Sequence, residues 1–101
     1  MAQLGGRRPH LGGDRWITYT VFYSASDDGE RVLYESVLQD DVGVCPEHPS
    51  GTVQLVPGAS ADETARAAIC AFIDTQPIGP GTPPDNPRAR LVGLKWGRGL
   101  L

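Results

Sequence analysis

The sequence contains few of the thiol, imidazole and amine side chains that bind zinc or act as nucleophiles. Its 101 residues include two cysteines, two histidines and a single lysine. A tetrahedral zinc site takes four ligands, so every cysteine and histidine of the chain would have to meet in one place. No stretch approaches the roughly 20 consecutive apolar residues of a membrane span, and the first residues lack the apolar run of an export signal. We therefore expect a cytoplasmic protein with no metal, no cofactor and no membrane contact.

The composition predicts one small domain with less ordered ends. Glycine and proline are abundant, with 13 and 9 copies, whereas 40% of the residues are hydrophobic and 21% are charged. Their distribution predicts a disordered basic leader at 1–14, a core domain at 15–76, a stiff Pro/Gly-rich spacer at 77–87 and a basic, apolar tail at 88–101. Arginine supplies nearly all the positive charge, which is typical of a high-GC bacterium or its phage.

Charge is segregated along the chain. Residues 1–25 carry a formal charge of +2, residues 26–63 carry −8 and residues 64–101 carry +3. An acidic middle repels nucleic-acid phosphates, whereas basic ends attract them. Runs of charge most often only keep turns solvated, and this structural interpretation is the alternative to a role in binding.

Local patterns predict three strands followed by a helix. Residues 15–24 alternate and are rich in β-branched and aromatic side chains, and the Asp28-Gly29 pair predicts a hairpin with residues 31–39. A short third strand follows at 52–56. Ser60 and Glu63 match a capping box, which predicts a helix that begins there and stops before Pro77.

The predicted fold class is α+β, a small antiparallel sheet of order β-β-β-α with one helix packed on one face. A fourth strand is predicted at 88–96, where apolar residues follow the spacer. We expect this tail to dock within the chain; exchange with a second copy or capture by a partner is one alternative, and disorder is the other. The predicted core consists of Ile17, Tyr19, Val21, Val32, Tyr34, Val53, Leu55, Ala65, Ala68, Ile69 and Phe72.

No catalytic constellation is recognised, and we predict that the protein is not an enzyme. Cys45 and His48 lie three positions apart, and an imidazole can lower the pKa of a thiol, so a small enzyme that uses this pair is the third hypothesis. The pairs Asp27-Asp28 and Asp40-Asp41 lie at predicted turns, where aspartate is favoured for its backbone hydrogen bonds.

Nucleic-acid binding is the second hypothesis. In topology alone, the order β-β-β-α resembles the latter part of a double-stranded RNA-binding domain, which implies a cationic helix start. Asp62 and Glu63 stand at that position here. An accessory protein that binds nucleic acid would therefore use its basic ends rather than its core.

The leading hypothesis is a small non-catalytic module that binds a protein. One helix cannot cover both faces of a sheet whose first predicted strand is aromatic on both sides, so a protein partner or a homodimer is expected. A phage-encoded protein that acts on a host protein is one form of this hypothesis. The predicted partner-binding residues are Asp27, Asp28, Glu30, Asp40, Asp41, Leu91, Leu94 and Trp96.

Overall fold

The predicted sheet and helix are both present in the computed structural model, which describes residues 1–10 and 14–82. Within these ranges the elements are β1 (Ala2–His10), β2 (Arg15–Ala25), β3 (Arg31–Gln39), β4 (Ser50–Gln54) and α1 (Ala61–Thr75). The strands form one antiparallel sheet in the order β1-β2-β3-β4. Because α1 contacts all four strands from one side, the architecture is α+β, which confirms the predicted fold class.

The hairpin of β2 and β3 forms where the sequence predicts it. Tyr23 lies opposite Tyr34 in the register, and the Ser26 amide donates to the Arg31 carbonyl at 2.9 Å to close the turn. Gly29 has a φ of 72°. A side chain rarely adopts this left-handed conformation, so the Asp-Gly pattern predicts the turn for a physical reason.

The fourth strand of the described sheet lies at the N-terminal end of the chain. The prediction of a disordered leader is wrong for Ala2–His10, which pairs with β2 along its whole length. Arg8 donates two hydrogen bonds to the Asp74 carboxylate, both at 2.7 Å, and His10 Nε2 donates to the Gln76 carbonyl at 3.1 Å. These contacts fasten β1 to the end of α1. Glycine and proline, which β1 contains, have low strand propensity, so tertiary contacts rather than local preference form this strand.

The helix begins at the predicted cap. The Ser60 hydroxyl oxygen accepts from the Glu63 amide at 3.5 Å and lies 2.9 Å from the Glu63 carboxylate. The helix ends at Thr75, before Pro77, which cannot continue it. Within the part of the chain that the structure describes, no helix has the length and apolar character needed to cross a bilayer.

The core lies between α1 and the face of the sheet that it covers. Six residues of the predicted core are buried, namely Ile17, Tyr19, Val21, Val32, Ala65 and Ile69. The other five are only partly buried, and they are Tyr34, Val53, Leu55, Ala68 and Phe72. Tyr34 and Val53 lie on β3 and on the edge strand β4, where the helix covers less of the sheet. Further buried residues outside that prediction are Leu38, Cys45, Ile73 and Ile78.

The opposite side of the sheet, which we call the second face, also carries apolar side chains. Its apolar members are Trp16, Phe22, Leu33, Val37 and Val44, and the polar side chains of Thr18, Thr20, Glu35 and Gln39 lie among them. Val37 and Val44 form a small cluster of their own, against which Phe22 packs. Trp16 and Leu33 remain 44% and 42% exposed, whereas Thr20 is fully buried. Burial on the second face is therefore uneven.

The described chain ends at the edge of this sheet. Residues 77–81 contain no helix or strand, and Thr82 then pairs with Val44, which in turn pairs with Gln39. The predicted strand at 88–96 and the rest of the tail at 88–101 lie outside the described residues, as do residues 83–87 of the predicted spacer and 11–13 of the predicted leader.

Gly6 and Gly51 provide a matched pair of substitutions, because each lies opposite a tyrosine in the sheet. A Cβ at Gly6 would lie 2.6 Å from Tyr19 Cζ, whereas one at Gly51 would lie 3.5 Å from the nearest atom of Tyr34. We expect Gly6→Ala to lower the free energy of unfolding by about 1–3 kcal/mol and Gly51→Ala to leave it within about 0.5 kcal/mol. Urea titrations of both variants measure this. Equal changes would show that β1 does not pack closely on Tyr19.

Candidate partner-binding surface

One end of the molecule is acidic because two separate acidic segments meet there. The turn between β2 and β3 exposes Asp27, Asp28 and Glu30. The first turn of α1 exposes Asp62 and Glu63. We call these five residues the acidic end.

Hydrogen bonds hold the two segments of the acidic end side by side. The Leu55 amide donates to the Glu30 carbonyl at 2.8 Å, which fixes the residue after β4 against the hairpin turn. The Val56 amide donates a hydrogen bond to Thr64 Oγ1 at 3.4 Å. Thr64 belongs to the first turn of α1. The start of the helix is therefore anchored at the same end of the sheet as the hairpin.

Serine hydroxyls orient two of these carboxylates and keep them charged. The Ser26 hydroxyl donates to Asp28, whose carboxylate also accepts from the Glu30 amide at 2.9 Å, and together they hold the pKa of Asp28 below its ordinary value. The hydroxyl of Ser60 likewise donates to Asp62 and lowers the pKa of that side chain. Hydrogen bonds to the charged form favour it, so both groups stay ionised at neutral pH.

The remaining predicted partner-binding residues do not join the acidic end. Asp41 is exposed, but it follows β3 at the opposite end of the sheet. Asp40 lies beside it, and its side chain is only 4% exposed. The prediction that Asp40 binds a partner is therefore wrong in this structure, because its carboxylate makes its contacts inside the protein. The other predicted residues, Leu91, Leu94 and Trp96, lie outside the described part of the chain.

Asp40 belongs to a network centred on Arg15, at the start of β2. Arg15 Nε donates to the Asp40 carboxylate at 2.9 Å, and Arg15 Nη1 donates to the Ile78 carbonyl at 2.8 Å. Arg15 Nη2 donates to the Gly79 carbonyl and lies 3.5 Å from Cys45 Sγ. One guanidinium therefore connects three segments that are distant in sequence.

The Asp40 carboxylate completes this network with three backbone amides. It accepts from Gly81 at 2.9 Å, from Val42 at 2.9 Å and from Gly43 at 3.1 Å. Burial alone would raise the pKa of Asp40, but these amides and the Arg15 guanidinium outweigh it and hold the pKa below its ordinary value. The carboxylate is therefore charged and structural at neutral pH.

The Cys45/His48 pair does not form a nucleophilic site in this arrangement. Cys45 is fully buried, and burial, with the nearby Asp40 charge, raises its pKa to about 11. His48 is exposed to solvent. A thiol with such a high pKa supplies little thiolate near pH 7, so the structure favours a packing role for Cys45. Within residues 1–10 and 14–82, no group of three or more His, Cys, Asp or Glu side chains is placed to hold a metal ion.

Sequence reasoning identified the acidic hairpin but missed its neighbour on the helix as part of the same surface. It used Asp62 and Glu63 only for the helix start, because nothing local shows where the helix begins relative to the turn. The network role of Arg15 was also missed, because its partners lie 25 to 64 residues away. An arginine at the start of a strongly predicted strand carries no signal of such contacts.

Comparison with known proteins adds no further assignment. No family model, curated protein or solved structure matches this chain.

Asp40→Asn tests the network through its pH dependence. Because the pKa of Asp40 is lower in the folded protein than its ordinary 3.8, the carboxylate contributes stability above about pH 4 that is lost as the pH falls through the folded value. We expect Asp40→Asn to lower the free energy of unfolding by about 1–3 kcal/mol at pH 7, and by less at pH 3. Urea titrations at both pH values measure the difference.

Asp41→Asn is the matched control, because the neighbouring carboxylate is exposed. It should change stability by less than about 0.5 kcal/mol at either pH. A loss for Asp40→Asn that is the same at pH 7 and pH 3 would contradict the charged role of Asp40.

Alkylation tests the burial of Cys45. We expect iodoacetamide at pH 8 to modify the partly buried Cys70 at least about tenfold faster than Cys45 in the folded protein, because Cys45 is inaccessible and mostly protonated. Mass spectrometry of proteolytic fragments measures the two rates. In urea the two rates should converge, and equal rates in the folded protein would contradict the structure.

Proposed function

We propose that the protein is a small non-catalytic module whose acidic end binds a basic surface on a partner protein. The observation that carries this proposal is the meeting of two acidic segments, Asp27 to Glu30 and Asp62 to Glu63, at one end of the fold. A phage protein that acts on a host protein, as the composition suggests, is one form of the proposal.

The electrostatic argument rests on how charges add at short range. Exposed charges interact over about 8 Å at physiological ionic strength, so carboxylates within one compact end reinforce each other's potential. Arg31 begins β3 at the same end and Arg66 lies near Asp62, so these two cations offset part of the charge of the five carboxylates. A negative surface of this kind speeds the approach of a basic partner and disfavours acidic ones.

The pre-set orientation of two carboxylates supports binding rather than simple solvation. Asp28 and Asp62 are each held by a serine hydroxyl, so less side-chain freedom is lost when a cation contacts them. A partner that presents arginine is the best match, because its planar guanidinium pairs with carboxylates in a fixed geometry.

Nucleic-acid binding has less support among the described residues. Arg8 is paired with the Asp74 carboxylate, and the Arg7 guanidinium lies 4.9 Å from the centre of the Trp16 ring. The basic residues of the tail that the alternative also needs lie outside the described residues. The acidic end itself repels phosphate.

Binding of an octa-arginine peptide tests the proposal. We expect calorimetry to show binding that weakens as salt rises from about 50 to 200 mM, and amide signals of residues 27–30 and 61–64 to shift in NMR spectra. The variant Asp27→Asn with Glu30→Gln should weaken binding by about two- to tenfold. Both substitutions leave Asp28 in place, so the turn keeps its hydrogen bonds.

The control variant removes two exposed charges from the other end of the sheet, with Asp14→Asn and Asp41→Asn. It should weaken binding less than the variant of the acidic end. Equal weakening by both variants would mean that only the net charge matters, which would contradict a localised site. Salt-sensitive binding of a DNA duplex, without binding of the peptide, would support the nucleic-acid alternative instead.

A further inference from the structure

The centre of the second face is buried, with Thr20 fully buried and Val37 and Val44 nearly so. Helix α1 does not supply this cover, because it packs on the other face. Phe22, Val37 and Val44 nevertheless form an apolar cluster on the second face, and Trp16 and Leu33 extend it in both directions along the sheet. Partly exposed apolar side chains beside a buried cluster are typical of a site where another segment docks.

Two polar atoms on this face point to the same conclusion. Thr20 Oγ1 and Gln39 Oε1 are buried and have no hydrogen-bond partner among the described residues. Thr20 lies opposite Val37, and Gln39 lies opposite Thr18, so both side chains project from the second face. Buried polar atoms are almost always hydrogen-bonded, and these two therefore indicate a segment that supplies polar groups as well as apolar cover.

The path of the chain brings residues 81 and 82 to the border of this face. The Thr82 amide donates to the Val44 carbonyl at 2.7 Å, and Val44 is itself part of the second face. The Asp40 carboxylate holds the preceding Gly81 amide, so the chain is fixed where it reaches the sheet edge. Residues 83–101 therefore follow directly from the border of the second face.

We propose that residues 83–101 of the same chain dock on the second face, with Leu91, Leu94 and Trp96 against the cluster of Phe22, Val37 and Val44. Leu91 follows Thr82 by nine residues, and an extended proline-rich chain spans about 3.1 Å per residue. That length of about 28 Å exceeds the width of a four-stranded sheet, whose strands lie about 4.8 Å apart.

A segment of the same chain is favoured over a second copy because it is already present at high local concentration. A short tether gives millimolar effective concentrations, which a separate molecule reaches only in concentrated solution. Backbone groups of the docked segment also have the hydrogen-bonding capacity that Thr20 Oγ1 and Gln39 Oε1 require.

Nuclear Overhauser contacts in the full-length protein test the proposal. We expect cross-peaks from the Leu91 and Leu94 methyl groups to Thr20, Phe22 and Val37 in a uniformly labelled sample, and their absence between labelled and unlabelled molecules in a mixed sample. Sedimentation should show a monomer at all concentrations. Leu91→Asp with Leu94→Asp should abolish these cross-peaks, whereas the control Leu100→Asp with Leu101→Asp should retain them.

Three results would overturn this proposal. Contacts seen only between molecules, with a dimer in sedimentation, would place a second copy on the face. Absence of any contact between residues 83–101 and the second face would leave it to a different protein. Equal loss of the cross-peaks in both double variants would rule out a specific role for Leu91 and Leu94.

The methyl signals of Val21 and Ile69 in the core show whether the first double variant folds. If it does not fold, the presence or absence of the cross-peaks in the wild-type protein decides whether the tail docks on the second face. None of these residues belongs to the acidic end, so failure of either proposal leaves the other standing.

Discussion

The contact between the Arg15 guanidinium and the Asp40 carboxylate fixes how the loops meet at one end of the sheet. Arg15 lies at the start of β2, and through Asp40 and the carbonyls of Ile78 and Gly79 it joins the turn after β3 to the segment after α1. A charged pair with little exposure gains stability only when further hydrogen bonds satisfy both partners. Backbone amides and carbonyls supply those bonds here, so the network holds the turn after β3 and the segment after α1 together.

The elements that sequence reasoning found share one property, which is that their signals are complete within a few residues. Asp28 and Gly29 define a turn by themselves, and Ser60 and Glu63 define a helix start. The alternation along β2 requires only its own residues. Each of these patterns reflects a local conformational preference, and tertiary contacts did not reverse any of them.

Strand β1 shows what such reasoning misses. Its glycines and arginines show no strand pattern, yet two of them make specific contacts with the rest of the fold. Gly6 leaves room for the Tyr19 ring, and Arg8 binds Asp74, which lies 66 residues away in sequence. The aromatic strand β2 has an edge that needs a partner, and the small residues of β1 allow close approach. Contacts between residues far apart in sequence also explain why Asp40 was predicted to be a surface residue. Its carboxylate is buried by contacts with Arg15 and Gly81, and neither contact leaves a local signal in the sequence.

The two proposed surfaces are separated by the way in which the sheet divides the molecule. The acidic end is formed by a turn and a helix start, where side chains are solvated, whereas the second face is formed by one side of β2 and β3 together with Val44. Charge at the acidic end acts through water over about 8 Å, while cover of the second face depends on direct contact between apolar groups. Salt therefore weakens the first interaction without weakening the second. A partner held by charge at one end would leave the packing of the sheet undisturbed.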